Sequence, residues 1–91
     1  MNCDVFDTYV TKANGEQIHF DIIVPSGTQH EAVLAFGKNY LDEVGVEDGA
    51  VTVEQCRFCH VEQATSEMKQ AIDEKGYFIL AMEGCPPIVV N

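Results

Sequence analysis

Tryptophan is absent, arginine occurs once, and only five Lys+Arg stand against fifteen Asp+Glu. The resulting formal net charge of −10 repels phosphate backbones and anionic lipid, so no nucleic acid and no membrane surface is expected as a partner. Cations and metal ions suit that field better, and the acidity also favours solubility. No apolar run approaches the ~20 residues of a membrane span. Met1-Asn2-Cys3-Asp4-Val5 lacks the basic and apolar regions of a signal peptide. The expected location is therefore cytoplasmic, where thiols stay reduced. With that location, the four cysteines are expected to be free thiols or metal ligands rather than a disulfide framework. There is also no internal repeat, no glycine-rich phosphate loop and no Gly-x-Ser-x-Gly elbow. A binding or interaction module is thus expected ahead of an enzyme.

What is present suffices for one core. Hydrophobic residues make up 46% of the 91, which fits a single domain over residues 1–91, with 1–3 and 86–91 as flexible termini. Residues 4–11 are rich in β-branched and aromatic types, and in residues 17–24 Ile18, Phe20, Ile22 and Val24 alternate onto one face. Lys12 to Glu16 joins the two strands. A two-residue Asn14-Gly15 turn would place Asp7 on the apolar face beside Ile22. A three-residue loop with Gly15 left-handed pairs Lys12 with Glu16 and aligns Phe6, Thr8 and Val10 with Ile22, Phe20 and Ile18. The second register buries no charge and is the expected one. It sets Tyr9 opposite His19 and Asp7 opposite Asp21 on the other face. Like charges so placed cost up to ~1 kcal/mol, which marks the face as a candidate cation or partner surface.

Thr28 to Glu31 resembles a capping box that opens a helix with Val33, Phe36, Gly37, Tyr40, Leu41 and Val44 inward and Gly45 as its stop, leaving His30 exposed. Ala50 to Gln55 reads as a third strand leading into a Cys56–His60 loop. Thr65 or Ser66 caps a second helix, Glu67 to Lys75, with Met68, Ala71 and Ile72 inward and Gly76 at its end. Tyr77 to Met82 reads as a central strand. The expected fold class is α+β, ββαβαβ, with a small mixed four-stranded sheet and two helices packed on one face; a crossover would make the third and fourth strands parallel.

Cys56-Arg57-Phe58-Cys59-His60 concentrates the soft ligands. Two thiolates and an imidazole at this spacing, completed by Cys85, form the expected metal site, with zinc as the cofactor. The alternative is thiol–disulfide chemistry at Cys56 and Cys59, which requires a lowered thiol pKa. The pattern also matches c-type haem attachment letter for letter, but that chemistry belongs outside the cytoplasm. A nucleophilic pair of Cys56 or Cys59 with His19 or His60 is conceivable on residue types alone, and nothing in the spacing selects it.

Taken together, Val5 to Val10, His19-Phe20-Asp21, Val24-Pro25-x-Gly27, Cys56 to His60, Gly76 to Ile79 and Met82 to Cys85 resemble DUF2024, a small bacterial domain family of unknown function. The resemblance runs over residues 4–85 and implies a compact α+β fold without naming an activity. Asp7, Tyr9, His19, Asp21, Cys56, Arg57, Cys59, His60, Glu83 and Cys85 are the motif residues that core packing does not account for. Asp7, Tyr9, His19, Asp21 and Arg57 form the candidate surface site. The expected partner is an unknown protein, and the expected state a monomer or weak homodimer.

Overall fold

The structure, a computed structural model, describes residues 1–12, 14–46 and 55–85. Its elements are β1 (Asn2–Thr11), β2 (Gln17–Pro25), α1 (His30–Glu43), β3 (Cys56–Gln63), α2 (Ser66–Lys75) and β4 (Phe78–Ala81), an α+β fold in the expected order. Residues 86–91 and most of the expected strand Ala50–Gln55 lie outside the described residues; β3 begins at Cys56.

The β1–β2 hairpin takes the register that keeps charge out of the core. Lys12 and Glu16 close the loop through a 2.7 Å main-chain bond, Gly15 is left-handed at φ +87°, and Asp7 pairs with Asp21 and Tyr9 with His19. Phe6, Val10, Ile18, Phe20, Ile22 and Val24 then share one face, buried under Val33, Tyr40 and Leu41 of α1. Phe20 and Tyr40 pack with ring centroids 4.7 Å apart.

The strand order β3-β1-β2-β4 corrects the expected mixed sheet: every neighbouring pair is antiparallel. β3 and β4 lie at opposite edges, so the helix between them crosses the sheet instead of joining parallel neighbours. Ten residues of helix reach about 15 Å, close to the ~14 Å across three strand spacings.

The two helices also cover opposite faces. Cys3, Val5 and Ile23 form a second, shorter apolar patch on the face away from α1, and Ile72 of α2 seals it with Met68 and Phe78 at its margin. The alternation of β2 alone suggested one apolar face; the run Ile22-Ile23-Val24 supplies residues to both.

Smaller corrections follow from local bonding. Thr28 does not cap α1: its hydroxyl donates to the Pro25 carbonyl at 2.6 Å, and Gln29 takes the cap position without a side-chain bond. Thr65 does cap α2, accepting from the Met68 N–H, and Gly76 ends that helix left-handed. His30 is half-buried, its Nε2 2.8 Å from the Cys56 carbonyl and its ring stacked on Phe6. β4 is an edge strand rather than a central one, and Leu80 is exposed. No helix of the described residues is long and apolar enough to cross a membrane.

Candidate functional site

α2 covers only part of its face. The remainder, toward the β1–β2 loop, is an open platform whose side chains follow from strand register. One row across the sheet runs Arg57, Asp7, Asp21, Leu80. The next runs Gln55, Tyr9, His19, Met82, tied by the Tyr9 N–H to the Gln55 carbonyl at 2.9 Å and the Met82 N–H to the His19 carbonyl at 3.0 Å. Strand alternation therefore gathers all five surface-site candidates, Asp7, Tyr9, His19, Asp21 and Arg57, on one face.

Within the platform, His19 Nε2 hydrogen-bonds to Asp7 Oδ1. The Tyr9 ring stacks on the imidazole, with centroids 4.1 Å apart and planes 9° apart, which fixes the ring's tilt. The main chain of His19 is held as well, since its N–H donates to the Glu83 carbonyl at 2.9 Å. Asp7, His19 and Asp21 each present a ligand-type atom within 4.8 Å of the others.

Asp21 is the most constrained of the three. It is 8% exposed, and its Oδ1 is buried without a hydrogen-bond partner. Burial, then the hydrogen bond and negative charge of Asp7, push its carboxyl up to about 6, against a smaller pull from His19 and His60. Burial also raises Asp7, but the hydrogen bonds with His19 and Asp21 outweigh it and leave that carboxyl below its ordinary range. Of the two, Asp21 is therefore the carboxyl that takes up a proton at the higher pH. An unsatisfied buried carboxylate oxygen costs ~1–3 kcal/mol or more, so packing alone does not account for its place.

Beside the cluster, Asp7, Tyr9, Gln55 and Arg57 line a hollow of about 280 Å³. Gln55 was not among the sequence candidates; it belongs to the site by register with Tyr9, which only the β1–β3 pairing reveals. A larger cleft of about 630 Å³ follows the β4 edge between the helices, walled by Tyr40, Phe78, Ile79, Met82 and Cys85 among others. Among the described residues it gathers no convergent set of ligand atoms, so its greater volume does not make it the stronger site.

The expected soft-ligand site is not assembled. Cys56 is fully buried on the α1 face, where it accepts from the Thr8 hydroxyl at 3.4 Å. Cys59 is the extra residue of a β-bulge, between Phe58 opposite Phe6 and His60 opposite Val5, and is exposed. His60 faces Glu62 at 2.9 Å, and Cys85 donates to the His19 carbonyl at 3.2 Å. Among the described residues these four do not form a group that shares one ion. The physical reason is the strand: extended backbone spaces residues i and i+3 by roughly 9–10 Å, whereas a shared ion or disulfide needs a turn. A disulfide requires Cα atoms within ~7 Å. Burial moreover pushes the Cys56 thiol up, the Thr8 hydrogen bond opposing it only in part, contrary to what a redox nucleophile needs. All four cysteines are free. Glu83 acts through its main chain, in the bond to His19; its side chain is exposed.

No curated protein matches the chain. The NMR structure of protein NE1680 from Nitrosomonas europaea is similar, with 44% identity and a TM-score of 0.79, covering 93% of this chain and 99% of that one. The family model described as "Domain of unknown function (DUF2024)" matches residues 1–82. That span takes in Cys3, a core residue here, and stops short of Glu83 to Cys85. With the fold, the platform and both similarities in place, the chain belongs to the DUF2024 family.

Proposed function

We propose that the protein is a divalent-metal-binding module whose ligands are Asp7, His19 and Asp21, with zinc as the first ion to test. One observation carries this: ligand-type atoms of three residues converge within 4.8 Å, and one of those residues, Asp21, has a carboxylate oxygen that is buried and unpartnered. Two carboxylate oxygens and one imidazole nitrogen form a borderline-hard set that suits Zn²⁺, Mn²⁺, Fe²⁺ or Co²⁺. Bonds of ~2.1 Å place tetrahedral ligand atoms about 3.4 Å apart, so modest side-chain rotation closes the set. Three protein ligands leave the solvent side of an ion open to water or a small molecule. Without an ion, the hydrogen bond between His19 Nε2 and Asp7 Oδ1 joins two of the three groups, and metal entry replaces it. Binding therefore weakens as pH falls through about 6, where Asp21 takes up its proton. The four unpaired thiols suit a reducing compartment and support a cytoplasmic location.

The test is calorimetric titration of chelator-treated protein with Zn²⁺ and Co²⁺, with elemental analysis of the product. One ion per chain is expected, lost in Asp21→Asn and His19→Gln and unchanged in Cys59→Ser. No uptake, or uptake that depends on Cys59 and not on Asp21, overturns the assignment.

A further inference from the structure

We infer that β3 is a dimer edge: it pairs antiparallel with β3 of a second copy of this chain, in the register that sets Phe58 opposite Val61 of the other copy. Among the described residues β3 ends the sheet, and Phe58 to Gln63 are exposed. Phe58 and Val61 are 55% and 54% exposed, the highest values among the exposed large apolar side chains. The bulge at Cys59 gives the two a shared orientation. Three positions apart in a regular strand, they would lie on opposite faces. With one extra residue between them, Phe58 stands opposite Phe6 and Val61 opposite Asp4, so both side chains turn to the α1 face. Their main-chain groups agree as well. The Tyr9 N–H bonds to the Gln55 carbonyl and the Ala64 N–H to the Met1 carbonyl, which fixes by alternation the β3 residues that bond to β1. The N–H and C=O groups of Cys56, Phe58, Val61 and Gln63 therefore point to the open edge.

A strand meets its own copy about a two-fold axis. Only the axis midway between Cys59 and His60 sets Phe58 opposite Val61 on both sides of itself. In that register Phe58 with Val61, and Cys56 with Gln63, become hydrogen-bonded pairs, each on one face of the sheet. Two observations select a second copy as the occupant. A bulge hinders pairing with a flat strand, whereas a copy brings the same bulge to the same axis. In a chain of −10, moreover, β3 carries one base and one acid, so two such chains meet there without added repulsion. Arg57 already has a partner within its own chain, and the pairing does not draw on it. The opposite edge, β4, is four residues long and flanked by Glu43, Glu67 and Glu74 against Lys75, which repels a copy. A single strand edge is narrow beside the ~1,200–2,000 Å² of a stable interface, so a Kd on the order of 100 µM is expected. The two platforms then open on the same side of one doubled sheet.

The experiment is sedimentation equilibrium of the metal-free full chain from about 10 µM to about 1 mM, with ¹H–¹⁵N spectra at both ends of that range. Using metal-free protein keeps the outcome independent of the metal-binding reading. The parent should pass from one chain to two as concentration rises, with slower hydrogen exchange gained at the Phe58 and Val61 amides. Phe58→Lys and Val61→Glu, both at exposed positions, should keep the parent's dilute-solution spectrum away from β3 and remain single chains at the highest concentration. Mixed together, the two variants should associate, because one contact then joins the new opposite charges and the other keeps Val61 against Phe58. Leu80→Lys, on the β4 edge, should dimerise as the parent does. A parent that stays a single chain throughout, a dimer that survives both β3 substitutions, or a dimer lost in Leu80→Lys overturns the inference. Association of the parent without association of the mixture overturns the register on which it stands.

Discussion

A buried acid kept for a task should burden the fold that carries it, and Asp21 allows that burden to be measured. Its carboxyl is held at about 6, chiefly by burial and then by Asp7, against ~3.9 for an unperturbed aspartate. An acid whose folded value is raised contributes stability that is complete below the unfolded value, near pH 4, and is lost as pH climbs through about 6. The gap between about 6 and ~3.9, at ~1.36 kcal/mol per pH unit, is close to 3 kcal/mol. Asp7, whose value is lowered, works in the opposite direction and offsets part of this. Replacing the acid by its uncharged isostere, Asp21→Asn, should therefore stabilise metal-free protein by about 1–3 kcal/mol at pH 8. In a domain this small each kcal/mol moves Tm by ~4–8 °C, so the variant should melt at least ~4 °C above the parent. At pH 4.5, where Asp21 already carries its proton, the two should melt within a few degrees of each other. Thermal melts of both proteins with chelator present, followed by circular dichroism at pH 4.5, 6 and 8, make the comparison. A variant destabilised equally at every pH would refute the reasoning, because Asp21 would then be a structural acceptor and not a strained ligand.

Two other outcomes follow from local geometry. A Cβ at Gly84, where φ is +72°, would lie 2.6 Å from the Gln17 carbonyl oxygen, so Gly84→Ala must displace the chain that bonds to His19. A loss of about 1–3 kcal/mol in urea unfolding is expected, with shifted His19 ring resonances; an unchanged midpoint and ring spectrum would contradict that coupling. In native protein a thiol reagent should react first at Cys59, which is exposed, and at the fully buried Cys3 and Cys56 only on unfolding. Peptide mapping of the labelled protein gives the order, and early labelling of Cys56 would refute its placement under α1.

The hairpin was legible from sequence because one residue decided it: only one register kept Asp7 out of the core, and desolvation costs more than a turn preference gains. The same choice places Asp7, Asp21, Tyr9 and His19 on one face by alternation alone. The helices were legible from spacing and from their glycine stops. Thr28 misled because a threonine hydroxyl serves a turn as readily as a cap, and the Pro25 carbonyl lay within its reach. The places of β3 and β4 at opposite edges rest on contacts between residues far apart in the chain, to which local patterns are blind. Cys56 to His60 misled for a chemical reason. The motif's meaning as a metal site presupposes a turn, and here the chain is extended through it and paired with β1. Arg57, in the middle of the same motif, does reach the platform, because alternation points it away from Cys56.

The hairpin strands divide their labour by parity. On β1 and β2 the even positions Phe6, Val10, Ile18, Phe20 and Ile22 build the core, while the odd positions Asp7, Tyr9, His19 and Asp21 build the platform. Point substitutions can thus retune the platform without touching the interior, and the interior can drift without rewriting the platform. Insertion or loss of a single residue within either strand allows no such independence, since it would exchange the two sets wholesale. Length variation among descendants of this chain should accordingly gather in the connections, leaving the spacing from Phe6 to Val10 and from Ile18 to Ile22 intact.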